Sequence, residues 1–141
     1  MSGGEQEGGG GIELIDHQGD CHCGGVKFIV RAPKDVILQE CNCSMCHRVG
    51  FLHLLVPKNR LIILQGEELL THYKFNTMVA DHMFCSTCGI KPFYIPRSNP
   101  DGFSINFRCV DSSTFNSFKI DPFDGINWEQ SGASLAHFSK E

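Results

Sequence analysis

The chain is poor in the features that direct a protein to a membrane or to nucleic acid. No apolar run approaches the ~20 residues that cross a bilayer as a helix. The longest, Phe51 to Pro57 and Leu61 to Leu64, fall far short. The N-terminal region is rich in Gly and Glu and is not basic and then apolar, so no secretory or transit signal is read there. Positive charge is not in excess. Twelve Lys and Arg stand against sixteen Asp and Glu, for a net charge of -4 and a pI near 5.9. That balance argues against a nucleic-acid surface built on overall charge. A convincing 3.6-residue apolar period is missing as well, which speaks against a helical bundle. The expected location is the cytoplasm, the nucleus or both, where thiols stay reduced.

What the chain does have is cysteine. Of 141 residues, eight are Cys, and they fall as Cys21-x-Cys23, Cys41-x-Cys43-x-x-Cys46, Cys85-x-x-Cys88 and Cys109 alone. Three tight clusters do not resemble the spread-out partners of a secreted disulfide framework. In a reducing compartment such spacing points to metal, and thiolates crowded this closely need a cation between them, for which Zn²⁺ is the usual choice. The outer pairs, Cys21/Cys23 and Cys85/Cys88, supply the four ligands of a closed structural zinc. Gly24-Gly25 and Gly89 follow them, where the backbone can turn tightly around sulfur. The middle cluster, Cys41, Cys43 and Cys46, supplies three ligands and leaves a fourth position for substrate or water. Two zinc ions per chain are therefore expected. Residues that could close the second site are His22, His47, His53 and Cys109.

The rest of the pattern is one of short strands. Val26, Phe28 and Val30 alternate with Lys27, Ile29 and Arg31, and Phe103, Ile105 and Phe107 with Ser104, Asn106 and Arg108. Further strands are predicted over Ile12 to His17, Val36 to Cys41, Phe51 to Val56, Leu61 to Leu64 and Ile90 to Ile95. Leu70 to Phe75 and Val79 to Phe84 read as a hairpin around Asn76-Thr77-Met78. Ser44 to Gly50 reads as a turn or a short helical turn, and Asp121 through Trp128 as turn-rich and aromatic. The predicted class is mainly β, with antiparallel sheets. The chain divides into a disordered tail over 1–11, one zinc-binding domain over 12–130 and a C-terminal tail over 131–141.

The ordered segments C-H-C-G-G-V-K-F (Cys21 to Phe28), C-N-C-S-M-C-H-R (Cys41 to Arg48) and F-C-S-T-C-G (Phe84 to Gly89) resemble the glutathione-dependent formaldehyde-activating enzyme family. The later segments P-R-S-N-P-D-G-F (Pro96 to Phe103), R-C-V-D (Arg108 to Asp111) and F-D-G-I-N-W-E (Phe123 to Glu129) look like its animal, centromere protein V-like branch. The resemblance implies a β-tent of antiparallel sheets around a structural zinc on Cys21, Cys23, Cys85 and Cys88. It also implies a second zinc on Cys41, Cys43 and Cys46, linked to glutathione binding and to formation of S-(hydroxymethyl)glutathione from formaldehyde, a carbon–sulfur lyase or synthase reaction. The carboxylates of glutathione would need cationic and hydrogen-bonding partners. Arg48, Arg97 and Asn99 are the candidates carried forward, with Lys91, Arg108 and Ser98 beside them. His53, His72 and His82 are candidate proton donors. The animal branch is associated with centromeres and microtubules, yet no Lys or Arg precedes Lys27 here, which argues against that attachment. The alternative reading is a non-catalytic zinc module that binds a protein, chromatin or cytoskeletal partner.

Overall fold

The computed structural model describes residues 13–75, 78–124 and 132–139. The expected tail over 1–11, the tip of the hairpin at Asn76-Thr77 and the stretch from Gly125 through Trp128 lie outside the described residues. The strands are β1 (Ile15–Asp20), β2 (Lys27–Ala32), β3 (Asp35–Cys41), β4 (Leu52–Pro57), β5 (Leu61–Gln65), β6 (Leu70–Tyr73), β7 (His82–Cys85), β8 (Phe93–Tyr94), β9 (Gly102–Asn106) and β10 (Ser117–Phe123). One α-helix, α1 (Ser44–Val49), follows β3, and a 3-10 helix covers Gly132–Ser139. The protein is mainly β, and among the described residues no helix is long and apolar enough to cross a membrane.

A five-stranded sheet in the order β10-β3-β4-β9-β8 faces a three-stranded sheet, β1-β2-β5, while β6 and β7 pair separately. The core lies between the two larger sheets. Val26, Phe28 and Val30 of β2 are fully buried there, as their two-residue period requires, and Phe28 meets Phe93 edge-to-face at 5.3 Å. Strand β4 is buried along nearly its whole length because both its faces are covered. Leu52, Leu54 and Val56 join the core, and His53 and Leu55 point to the opposite side. That alternation makes a second, smaller apolar cluster of Leu55, Phe123 and Leu135 on the outer face of the sheet.

Two elements differ from the sequence expectation. The sheets are not purely antiparallel, because β10 lies parallel to β3 with Cys41 opposite Phe123. Strand β10 carries almost no buried residue, so no apolar period marks it, and Pro122 is tolerated because an edge strand does not need every N–H. Gly132–Ser139, placed by sequence in the C-terminal tail, is a 3-10 helix that packs Leu135 against Leu55 and Phe123. Shorter differences follow the same logic. Of the segment Ile90 to Ile95, Phe93–Tyr94 forms a strand and Ile95 makes an isolated bridge to Asp81, and Phe107–Cys109 turns as a 3-10 helix after β9.

Candidate metal centres and the cavity beside them

All eight cysteines are free thiols, and seven of them gather into two groups. The sulfurs of Cys21, Cys23, Cys85 and Cys88 lie within 4.8 Å of one another. Cys21 Sγ is 3.5 Å from Cys23 Sγ, which is 3.7 Å from Cys85 Sγ. The edge of a tetrahedron with Zn–S bonds of about 2.3 Å is roughly 3.8 Å, so this group fits zinc closely. Backbone N–H groups of Val26 and Gly25 donate to Cys21 and Cys23 at 3.3 and 3.4 Å, which helps hold negative sulfur. Gly24 and Gly89 follow their cysteines at φ 79° and 78°, a turn that a side chain would strain. This site joins the β1–β2 turn to the end of β7, segments 62 residues apart in the chain.

The second group is Cys41, Cys43 and Cys46, also within 4.8 Å. Cys41 ends β3 and is held there by β10, where Asn42 donates its backbone N–H to the Phe123 carbonyl at 3.2 Å. Cys43 caps α1, accepting the Cys46 N–H at 3.4 Å, and itself donates its N–H to Cys41 Sγ at 3.4 Å. Helix α1 then turns away at Gly50, whose N–H caps the Cys46 carbonyl. Hydrogen bonds with the Cys41 and Cys46 thiols hold Cys43 far below the usual thiol range. The same three-way contact, with Cys41 the larger influence, holds Cys46 far above it. Three such sulfurs suit a soft cation that displaces the remaining protons. Among the described residues no further Cys, His, Asp or Glu joins either group. His47 is exposed on α1.

The second group opens onto a cavity of about 380 Å³, within the range of small-molecule sites. Its floor is the outer face of the five-stranded sheet. Gln39, Cys41, His53, Leu55, Tyr94 and Phe123 line it there, and Phe75, His82, Arg97, Ser98 and Leu135 are among the residues that complete the wall. The Tyr94 hydroxyl is 3.8 Å from Cys46 Sγ and 3.4 Å from His53 Nδ1. Burial, reinforced by the adjacent Cys46, holds that phenol well above its ordinary pKa, so it stays protonated. His53 Nδ1 meets Ser104 Oγ at 2.8 Å, while His53 Nε2 is a buried atom with no hydrogen-bond partner among the described residues. Burial and the nearby Lys91 lower the His53 pKa to about 3, so the ring is neutral.

The structure sorts the residues predicted to contact glutathione. Arg97 lines the cavity. Arg48 does not; it folds back along α1 and donates Nη1–H to the Ser44 carbonyl at 3.0 Å. Asn99 is buried and its amide is used internally, donating to the Leu135 carbonyl at 2.9 Å and to Ser139 Oγ at 2.9 Å. Cys109 is absent from the second group. It sits beside the outer one, where burial, Asp20, Cys21 and Cys88 push its thiol up to about 12. His72 is engaged elsewhere, with both oxygens of Asp81 at 2.9 and 3.0 Å. Sequence reasoning did not single out Tyr94 or Leu135. Tyr94 follows Phe93 in a two-residue strand, and the alternation of that pair between core and cavity is the signal that could have found it.

A four-sulfur group, a separate three-sulfur group and a cavity over the latter define a two-centre, thiol-rich β-protein able to hold zinc. The sequence pattern of the family described as "Glutathione-dependent formaldehyde-activating enzyme" matches residues 16–123, and the chain belongs to that family. A Halomonas elongata protein provisionally named glutathione-dependent formaldehyde-activating enzyme is 29% identical over 79 residues, a stretch that spans 50% of this chain and 50% of that one. The alignment thus spans half the length of that curated relative. The crystal structure of a Rhodobacter sphaeroides protein is similar with a TM-score of 0.62 and 32% identity, covering 74% of this chain and 99% of that one.

Proposed function

We propose that this protein binds glutathione at the cavity over Cys41, Cys43 and Cys46 and joins it to formaldehyde, forming S-(hydroxymethyl)glutathione. The observation that carries this reading is the three-sulfur group itself: it lines a ligand-sized cavity, and among the described residues no fourth side chain closes it. Zinc held there would supply a Lewis acid that keeps an incoming thiol ionised near neutral pH. The outer group, Cys21, Cys23, Cys85 and Cys88, would hold a second, structural zinc, giving two per chain.

The remaining work falls to the chain's own groups. Arg97 offers a guanidinium to a glutathione carboxylate, a pairing that is strong when bidentate. Phe123, Leu55 and Leu135 give the wall an apolar surface that excludes water. The buried Tyr94 hydroxyl holds Cys46 and the His53 ring in place. Within the family, the segments from Pro96 to Phe103, Arg108 to Asp111 and Phe123 to Glu129 favour the centromere protein V-like branch, and the reduced thiols favour the cytoplasm or nucleus.

Exchange NMR of glutathione and formaldehyde tests the reading, because the two also combine without protein. The expected result is faster exchange with the zinc-loaded chain than with buffer, and no acceleration by Cys43→Ser. Equal rates for wild type and Cys43→Ser would overturn it.

A further inference from the structure

The cavity wall conceals a cation that the chemistry above does not use. Lys91 is 6% exposed, a rare state for lysine unless it is paired. Its Nζ is 2.6 Å from His82 Nδ1, 3.8 Å from the centre of the Tyr94 ring and 5.2 Å from that of Phe51. Among the described residues no carboxylate pairs with it. What favours its charge is the group of thiols at Cys46, Cys43 and Cys41, acting against burial.

The contact with His82 fixes a tautomer. An ammonium can only donate, so His82 Nδ1 accepts and the ring proton sits on Nε2. The ring cannot readily turn, because it is stacked between Tyr94 at 4.8 Å and Phe75 at 5.3 Å. His82 lines the same cavity as the three cysteines, and among the described residues its Nε2 has no hydrogen-bond partner. His53 also offers a partnerless Nε2, but its Nδ1 meets the weakly acidic hydroxyls of Ser104 and Tyr94, whereas the Lys91 ammonium is bonded to His82.

We propose that Lys91 and His82 form a proton relay that protonates the aldehyde oxygen while the glutathione sulfur adds to its carbon. The inference rests on the thiol-binding reading of the cavity. His82 is the catalytic donor; Lys91 positions it and supplies the proton behind it. The sulfur lone pair forms the C–S bond, and the π pair of the carbonyl moves to oxygen. The Nε2 proton goes to that oxygen as the Lys91 proton moves to Nδ1. His82 ends as its other neutral tautomer and Lys91 as an amine. Nε2 then takes up from solvent the proton that glutathione released on ionising, and the Nδ1 proton passes back to Lys91, so the ammonium, the starting tautomer and the proton and electron counts are all restored. The surroundings suit these roles. Burial and Lys91 lower the His82 pKa to about 4, against Cys43 and Asp81, and keep the ring neutral. Burial lowers Lys91 to about 8, so its proton is held loosely enough to move near neutral pH.

The zinc-loaded full chain carries the test, with Lys91→Arg, which keeps the charge but does not yield a proton, and His82→Phe, which keeps the stacking. Both are expected to bind glutathione within about twofold of wild type by calorimetry while catalysed exchange falls about 100-fold, the scale of general acid catalysis. A second readout does not depend on activity. Nitrogen-15 NMR of wild type is expected to show His82 protonated at Nε2, and Lys91→Met is expected to mix the two tautomers. Wild-type rates in both variants, or a wild-type ring protonated at Nδ1, would overturn the relay while leaving the function standing. Lost glutathione affinity in Lys91→Arg would assign Lys91 to binding and also overturn it. A wild-type protein that fails to bind glutathione or to accelerate exchange refutes the function itself, and the relay with it.

Discussion

Asn99 donates its amide to the backbone carbonyl of Leu135, 2.9 Å away, and so fastens one wall of the cavity to the loop that follows β8. The same amide reaches Ser139 Oγ, and the Asn99 side chain is fully buried. Asn99→Ala leaves those acceptors without a donor. A loss of about 1–3 kcal/mol in stability is expected, the usual cost of stranding buried polar groups. Chemical denaturation measures it. Glutathione affinity should fall alongside, since Leu135 lines the site.

The two sulfur groups should differ in what their metals do. Cys85→Ser removes a buried ligand from the four-sulfur group, and the expected result is one zinc lost and a thermal midpoint lowered by many degrees. Cys43→Ser should also lose one zinc, but with a far smaller change in the midpoint, because that group spans only one strand end and one helical turn. Native mass spectrometry and thermal melts on both variants decide this. Equal destabilisation would show that the second group is structural as well.

Cys109 lies against the outer group and not the second one. Cys109→Ser is expected to retain both zinc ions in native mass spectrometry. With its thiol pushed up to about 12 by burial and by Asp20, Cys21 and Cys88, Cys109 should also resist alkylation at neutral pH. Loss of a zinc in the serine variant would reverse this assignment.

Arg97 and Arg48 provide a matched pair. Arg97 lines the cavity, whereas Arg48 caps a carbonyl on its own helix. Arg97→Ala should weaken glutathione binding by roughly tenfold or more, as loss of a charge-assisted hydrogen bond implies. Arg48→Ala should leave it nearly unchanged. Isothermal titration with each variant checks both outcomes.

Acid should weaken the fold through His53. Burial, then Lys91, holds its folded pKa at about 3, below the ordinary histidine value of roughly 6.5. In this window the unfolded chain binds a proton that the folded chain refuses, so stability falls as pH drops from about 6.5 toward about 3 and is complete above that window. The contribution is on the order of a few kcal/mol. Denaturation midpoints measured from pH 7 to pH 4 should fall less steeply in His53→Phe than in wild type, at matched zinc content.

Much of this was legible in the residues, and the parts that were not share a cause. The two sulfur groups follow from local spacing, and the core face of β2 follows from strict alternation, so both could be read directly. Strand β10 could not. Its residues Ser117 to Ile120 are exposed, and what holds it is backbone pairing with β3, which leaves no mark on side-chain type. Arg48 was attractive because it is two residues from Cys46. In a helix that offset points a side chain to a different face, and the structure shows it turned away. His82 and Lys91 could each be noticed, but not as a pair. Their meeting depends on where β7 and the segment leading to β8 lie in space.

The parallel seating of β10 beside β3 also sets an order in time. Cys41 is held next to Phe123, and Asn42 next to Asp124, partners 82 residues apart. Chains are synthesised from the N-terminus, and contacts so distant in sequence form late. Every ligand of the outer group has been made once residue 88 is added. That centre can therefore take its metal on a growing chain. On the proposed reading the second group gains its full support only with the strand that ends at Phe123, so a ribosome-bound fragment ending before Ser117 is expected to hold one metal ion and not two.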